Sequence, residues 1–168
     1  TSVVSTSYTP SEGTIAIVLA DGASTCSSSA VTVDNAKNRI TIASLGVYSL
    51  SGSLSDGSII ITAEETESDD TVELDLNGVN IASKGTNSLA VTTSSGTVTM
   101  HPGPIYSENS AHLEIKAVSG SANVITDSRA TSLEAGDDNA AIFANKLLKF
   151  KGSGSLNVVS SFNNGVGS

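Results

Sequence analysis

Asp137, Asp138 and Asn139 stand immediately before a short apolar segment, Ala140–Phe143, and Asn163 and Asn164 follow one strand-repeat later. Carboxylate and amide oxygens brought together from neighbouring corners are hard ligands of the kind that calcium collects, six to eight at about 2.3–2.6 Å. The same residue types also cap turns by bonding their own backbone, so the pattern offers either a calcium site or turn chemistry. A denser acidic run, Glu64, Glu65, Glu67, Asp69 and Asp70, reads as a solvated loop, because like charges repel. Lys116, Lys146, Lys149 and Lys151 are the cations placed to contact the carboxylates of a uronic-acid polymer, or else to serve solubility.

Catalytic chemistry finds little to work with. His101 sits beside Pro102 in a loop, and His112 alternates with Leu113 on a strand; neither has a serine or cysteine partner in a nucleophile pattern. The only arginines are Arg39 and Arg129, so an eliminating base beside a carboxylate-held calcium has no obvious source. The reading is non-catalytic. Tyr8, Tyr48, Tyr106, Phe143, Phe150 and Phe162 are dispersed and suggest no flat aromatic platform, and Thr97-Val98-Thr99 is a single rib, not an array.

The elements that must position these groups are short strands. No segment sustains a helical apolar stripe. Strands are expected at Thr14–Leu19, Ala30–Val33, Arg39–Ile42, Gly46–Ser53, Ser58–Thr62, Thr71–Leu76, Val79–Ala82, Leu89–Thr92, Thr97–Met100, Ala111–Ala117, Asn123–Thr126, Ala140–Phe143, Leu147–Lys151 and Ser155–Val159. Val72, Leu74 and Leu76 alternate with Glu73 and Asp75, giving one buried face and one wet face. Asp21-Gly22, Asp56-Gly57, Asn77-Gly78 and Asn164-Gly165 read as turns. Leu54, Leu76 and Val98 recur at 22-residue steps, about the spacing of one solenoid coil, which suggests a coiled β-architecture whose turns bury their apolar faces on one another.

Composition sets the outer limits. The 168 residues suffice for one domain with a core. Aromatics are 4% and Trp is absent, so that core must be stacked Val, Ile, Leu and Ala. A net charge of −9 argues against nucleic acid, whose phosphates need clustered Lys and Arg. No apolar run is long enough to insert in a membrane. The single Cys26 permits no internal disulfide and reads as a small buried residue. The Ser/Thr-rich, Lys-poor surface points to an extracellular or cell-surface setting. Thr1-Ser-Val-Val carries no signal-peptide pattern and no N-glycosylation sequon occurs.

Five segments carry a resemblance: Gly46-Val-Tyr-Ser-Leu-Ser-Gly-Ser-Leu-Ser-Asp-Gly-Ser-Ile-Ile, Val72-Glu-Leu-Asp-Leu-Asn-Gly-Val-Asn-Ile, Asn139-Ala-Ala-Ile-Phe, Gly152-Ser-Gly-Ser-Leu-Asn-Val and Phe162-Asn-Asn-Gly-Val. In this order they resemble the carbohydrate-binding-domain-containing proteins of the clostridial polygalacturonate- and cellulose-binding type. The resemblance covers most of residues 30–168 and implies secreted right-handed parallel β-helices, related in shape to pectate lyases, that bind acidic polysaccharide and calcium without established catalysis. Thr92–Pro104 reads as an insertion. The expectation is an all-β, right-handed parallel β-helix over residues 1–168, with 1–45 as N-terminal strand and cap and 46–168 as coils. Its function would be polysaccharide binding with calcium. The alternative is a structural subunit stacking head to tail into a fibre or sheath, with Thr1–Leu19 completing a neighbour's open coil by strand addition.

Overall fold

The computed structural model describes residues 3–108, 111–130, 140–161 and 164–167. Among these the protein is all β, with no helix. The strands are β1 (Ile15–Leu19), β2 (Thr25–Cys26), β3 (Val31–Asp34), β4 (Arg39–Ile42), β5 (Gly46–Leu54), β6 (Ser58–Ile61), β7 (Thr71–Ser83) and β8 (Leu89–Thr93). They continue with β9 (Gly96–Met100), β10 (Ile105–Ser107), β11 (His112–Ala117), β12 (Ala122–Asp127), β13 (Ala140–Ala144), β14 (Leu148–Lys151), β15 (Ser155–Ser160) and β16 (Asn164–Gly167). A large sheet runs in the order β14-β11-β7-β5-β1-β2, with β12 and β15 extending from the far half of β7. A smaller sheet runs β16-β13-β10-β6-β4-β3. Both are mixed: β1–β2 and β3–β4 pair antiparallel, and the remaining ladders of the two sheets are parallel. Neither closes into a barrel.

Parallel pairing in register puts like on like. In the large sheet Ile15, Tyr48, Leu74, Ile115 and Phe150 form one inward row, and Leu54, Ile81, Ile125 and Val158 another. In the small sheet Ile40, Ile59, Ile105, Ile142 and Val166 repeat a β-branched residue on five successive strands. These rows meet in one apolar cluster running from Ile17 to Ala144. The aliphatic ladders expected from the lack of large rings are present. Leu74, Leu76, Val79 and Ile81 all lie in the core with no exposed surface. The one deep aromatic, Tyr48, keeps its hydroxyl satisfied by donating to the Ser44 carbonyl at 2.6 Å.

Two polar devices hold the corners. At Gly78 the backbone takes φ +78°, and a Cβ there would lie 2.8 Å from Ser5. β7 therefore kinks without ending. The buried amide of Asn123 takes over the interrupted ladder: its Oδ1 accepts from Gly78 N at 2.8 Å and Val79 N at 3.0 Å, and its Nδ2 donates to Ser121 Oγ and the Ser155 carbonyl. At the other corner Arg129 and Asp127 form a fully buried, two-pronged ion pair, Nε–Oδ1 2.9 Å and Nη2–Oδ2 2.7 Å. The same guanidinium donates to the carbonyls of His101 at 2.8 Å and Ala140 at 3.1 Å, so one cation ties the start of β13 to the loop before β10.

Several sequence-based expectations need correction. The 22-residue step does not describe the stack. Leu76 lies beside Leu50 and Ala117, and Leu54 lies beside Ile81. Val98 belongs to the antiparallel hairpin β8–β9, outside both sheets. Spacing misled because loops of unequal length separate the coils: Tyr48 to Leu74 is 26 residues and Leu74 to Ile115 is 41. Asn77-Gly78 lies inside one long strand and Asn164-Gly165 inside β16. Asp75, assigned to the wet face, is 4% exposed. Finally, the N-terminal residues are engaged within their own chain. Ile15–Leu19 pairs with β5, Val4 exchanges two backbone bonds with Ala122, and Thr6 is clasped by the Asn77 amide at 2.8 and 2.7 Å. The strand offered as a donor to a neighbour is occupied at home.

Candidate functional site

On the outward face of the large sheet, register aligns three alternating segments of the same phase: Glu73 and Asp75 on β7, Glu114 and Lys116 on β11, Lys149 and Lys151 on β14. Glu73 sits beside Glu114, which sits beside Lys149. One step along, Asp75 sits beside Lys116, which sits beside Lys151. The inward residues Leu74 and Ile115, buried in the core row, fix this orientation, and Phe150 extends their register onto β14 while remaining 45% exposed. Lys151 reaches across the strands, bonding Glu73 Oε1 and standing 3.0 Å from Glu114 Oε2. Tyr8, carried by the clasped N-terminal segment, lies close to Ser49, Asp75 and Glu73.

The electrostatics split the carboxyls. Burial, then the hydrogen bond with Glu73 and the Glu73 charge, push Asp75 up to about 7, against the pull of Lys116 and Lys151. Glu73 moves the other way. Burial alone would raise it, but hydrogen bonds from Asp75 and Lys151 and the charges of Lys151 and Lys116 hold it below the usual range. Lys151 is raised by its bonds to Glu73 and Glu114. Tyr8 is also raised, by burial first; Ser49 opposes this, while the Asp75 and Glu73 charges add to it. Near neutrality the face thus carries three ammonium groups against two full carboxylate charges and one shared in part with a proton.

Of the four lysines singled out in the sequence, the structure brings Lys116, Lys149 and Lys151 together. Lys146 stands apart, paired with Glu65 at 2.9 Å, and Glu65 also faces His112 Nε2 at 3.9 Å. Asp137, Asp138, Asn139 and Asn163 lie outside the described residues. Asn164 is exposed at the start of β16, in register with Ala140. Among the described residues no group of three or more His, Cys, Asp or Glu is placed to hold a metal ion. Sequence reading overlooked Glu73, Asp75 and Glu114 as site residues. The signal was available in Val72-Glu-Leu-Asp-Leu, His112-Leu-Glu-Ile-Lys and Leu148-Lys-Phe-Lys, three alternations that align charge with charge once their inward residues are superposed.

A family description, carbohydrate-binding domain-containing protein, matches residues 36–103 and 97–168. The chain belongs to that family. Among solved structures, this carbohydrate-binding domain-containing chain is similar to a polysaccharide lyase-like protein from C. thermocellum, solved as a gadolinium derivative. The two share 27% identity and a TM-score of 0.70, over 91% of this chain and 55% of the other. The chain thus spans about half the length of that relative. No curated protein matches the carbohydrate-binding domain-containing chain by sequence.

Proposed function

We propose that the protein acts outside the cell as a non-catalytic module that binds an acidic polysaccharide on the outward face of its large sheet. The observation that carries this is the convergence of Lys116, Lys149 and Lys151 on adjacent strands. The chain has eight basic side chains. Its two arginines are buried, and half of its six lysines stand on this one face. A polyuronate approaching a protein of charge −9 is repelled elsewhere and finds positive charge here. The parallel rows continue from strand to strand as the coils of a right-handed parallel β-helix would, and such a scaffold repeats its side chains along one direction, as a linear polymer repeats its carboxylates. The reading is of binding without turnover: on this face the carboxyl pushed toward neutrality, Asp75, is buried. Calcium enters this reading only at the Asp137–Asn139 and Asn163–Asn164 corners.

The test is titration calorimetry with oligogalacturonate. Lys116→Glu combined with Lys149→Glu, both at surface positions, should weaken binding at least about tenfold, since each replaces an attraction by a repulsion. Binding that is unchanged in the double variant, or that yields unsaturated product, would overturn the proposal. Binding that survives the variant and vanishes with chelator would move the site to the calcium corners.

A further inference from the structure

A second groove, of about 530 Å³, lies between the small sheet and the β8–β9 hairpin, lined by Glu64, Val91, Thr92, Tyr106, Glu108, Phe143 and Asn145. We propose that it binds a neutral oligosaccharide, with a pyranose ring stacked on Phe143. This shares with the lysine face only that the ligand is a glycan.

Three observations point there. First, Tyr106 and Phe143 are register partners on β10 and β13 and stack with ring centroids 5.6 Å apart and planes 17° from parallel. Tyr106 has Ile60 on its other side, on β6. Phe143 has Gly167 on its other side, on β16. Among the described residues the row therefore ends in a ring with no side chain stacked on its outer side, held in place by the ring beneath it. The negative face of an aromatic ring attracts the polarised axial C–H bonds of a pyranose, and such a contact also removes apolar area from water. Second, polar groups stand at the groove where sugar hydroxyls would need them. Glu108 and Asn145 follow β10 and β13 at the same corner. Their backbone N–H groups are anchored to Ile61 O at 3.2 Å and Ser107 O at 3.0 Å. Asn145 Nδ2 donates to the Glu108 carbonyl at 3.2 Å, which fixes the amide plane. A concave site of a few hundred Å3 that joins an aromatic surface to several polar groups is of the size and kind that small-ligand recognition uses. Third, the charges in the lining are both negative, Glu64 and Glu108. They favour hydroxyl donors and repel uronates, so the ligand class differs from that of the lysine face. The hairpin supplies the opposite wall through Val91 and Thr92, which gives this excursion from the sheets a role that its sequence alone does not disclose.

The test uses the full chain and cellohexaose, by calorimetry and by saturation-transfer NMR on the sugar C–H signals. The wild-type protein should bind. Phe143→Ala should weaken binding about tenfold or more, because the stack and its buried area are both lost. Thr92→Arg, on the exposed hairpin, fills the groove without touching the sheets and should have the same effect. Both variants should bind oligogalacturonate as the wild type does. If Phe143→Ala fails to fold, Thr92→Arg decides. Absence of cellohexaose binding, or binding that both folded variants leave unchanged, would overturn the inference. So would loss of cellohexaose binding in the Lys116→Glu, Lys149→Glu variant, which would place the sugar on the other face. Cellohexaose bound without oligogalacturonate would leave this site standing and remove the lysine-face proposal.

Discussion

On the large sheet the outward rows through β7, β11 and β14 repeat charge; on the small sheet the outward row through β6, β10 and β13 reads Ile60, Tyr106, Phe143. The backbone arithmetic is the same in both, since parallel strands in register set each residue beside its equivalent. The consequences are opposite. Equivalent rings stack favourably and need no help. Equivalent carboxylates, such as Glu73 beside Glu114, repel, and so require the Lys151 bridge and the partial protonation of Asp75. A charged row therefore stays sensitive to salt and pH, while an aromatic row does not. Each face exhibits the chemistry that its repeated residue type permits.

The largest effect expected from a single substitution falls at the corner where β12 of the large sheet meets the strands of the aromatic side. Arg129→Ala leaves Asp127 buried and unpaired, and releases the His101 and Ala140 carbonyls that position the two ring-bearing strands. Breaking such a pair costs about 3–5 kcal/mol, to be read from the urea midpoint. Oligogalacturonate binding by the fraction that remains folded should be normal. A midpoint shift below about 1 kcal/mol would show that water replaces the guanidinium and that the corner does not support this face.

A smaller cost is expected on the charged side. Gly52 and Gly152 occupy matching bends, with φ +92° and +91°, and a Cβ at either would sit 2.1 Å from a neighbouring carbonyl, Leu19 O or Ala117 O. Gly52→Ala combines that clash with a disfavoured backbone region and should destabilise by about 1–3 kcal/mol. Hydrogen exchange should locate the loosening at β1 and β5, away from Tyr106 and Phe143. Uniform loosening of both sheets would mean that the two faces do not respond separately.

How much of this was legible beforehand depends on the range of the information. The β-branched runs and their Gly, Asn and Asp boundaries gave most strands within one or two residues, because strand propensity and turn chemistry are local. Asn77-Gly78 misled for a non-local reason: the donors exposed by the kink are satisfied by Asn123, 45 and 44 residues away, so the strand continues through a sequence that ordinarily ends one. β2 and β10, two and three residues long, exist because an edge is there to pair with. The lysines were visible as cations, but their grouping depended on register, and register follows from loop lengths that no fixed repeat predicts. Tyr106 and Phe143 lie 37 residues apart and become neighbours only when β10 and β13 pair.

The smallest effect tests the charged face at its most unusual group. Asp75 titrates near 7 in the folded protein and at the ordinary value of 3.8 when unfolded. Between those values the folded state holds a proton that the unfolded state has released, so stability falls as pH rises from about 4 to about 7 and is level above. Glu73, held below its ordinary 4.5, has the opposite sign but acts only at lower pH. Glu108, raised above its ordinary 4.5 by burial, adds a decline of the same sign, so Asp75 is reported by the difference between the wild type and its Asp75→Asn variant across pH 5 to 7. In Asp75→Asn the decline of Tm across that interval should flatten, a change of a few degrees for a chain of this size. Ionisation of Asp75 also adds negative charge beside Lys116, so oligogalacturonate affinity should weaken as pH rises through 7 in the wild type and not in the variant. Cellohexaose affinity should follow the same pH course in both proteins, because the titratable groups of its groove, Glu64 and Glu108, are untouched by the substitution. An unchanged Tm slope in Asp75→Asn would mean that Asp75 ionises freely, and that the lysines alone offset the carboxylates of the face.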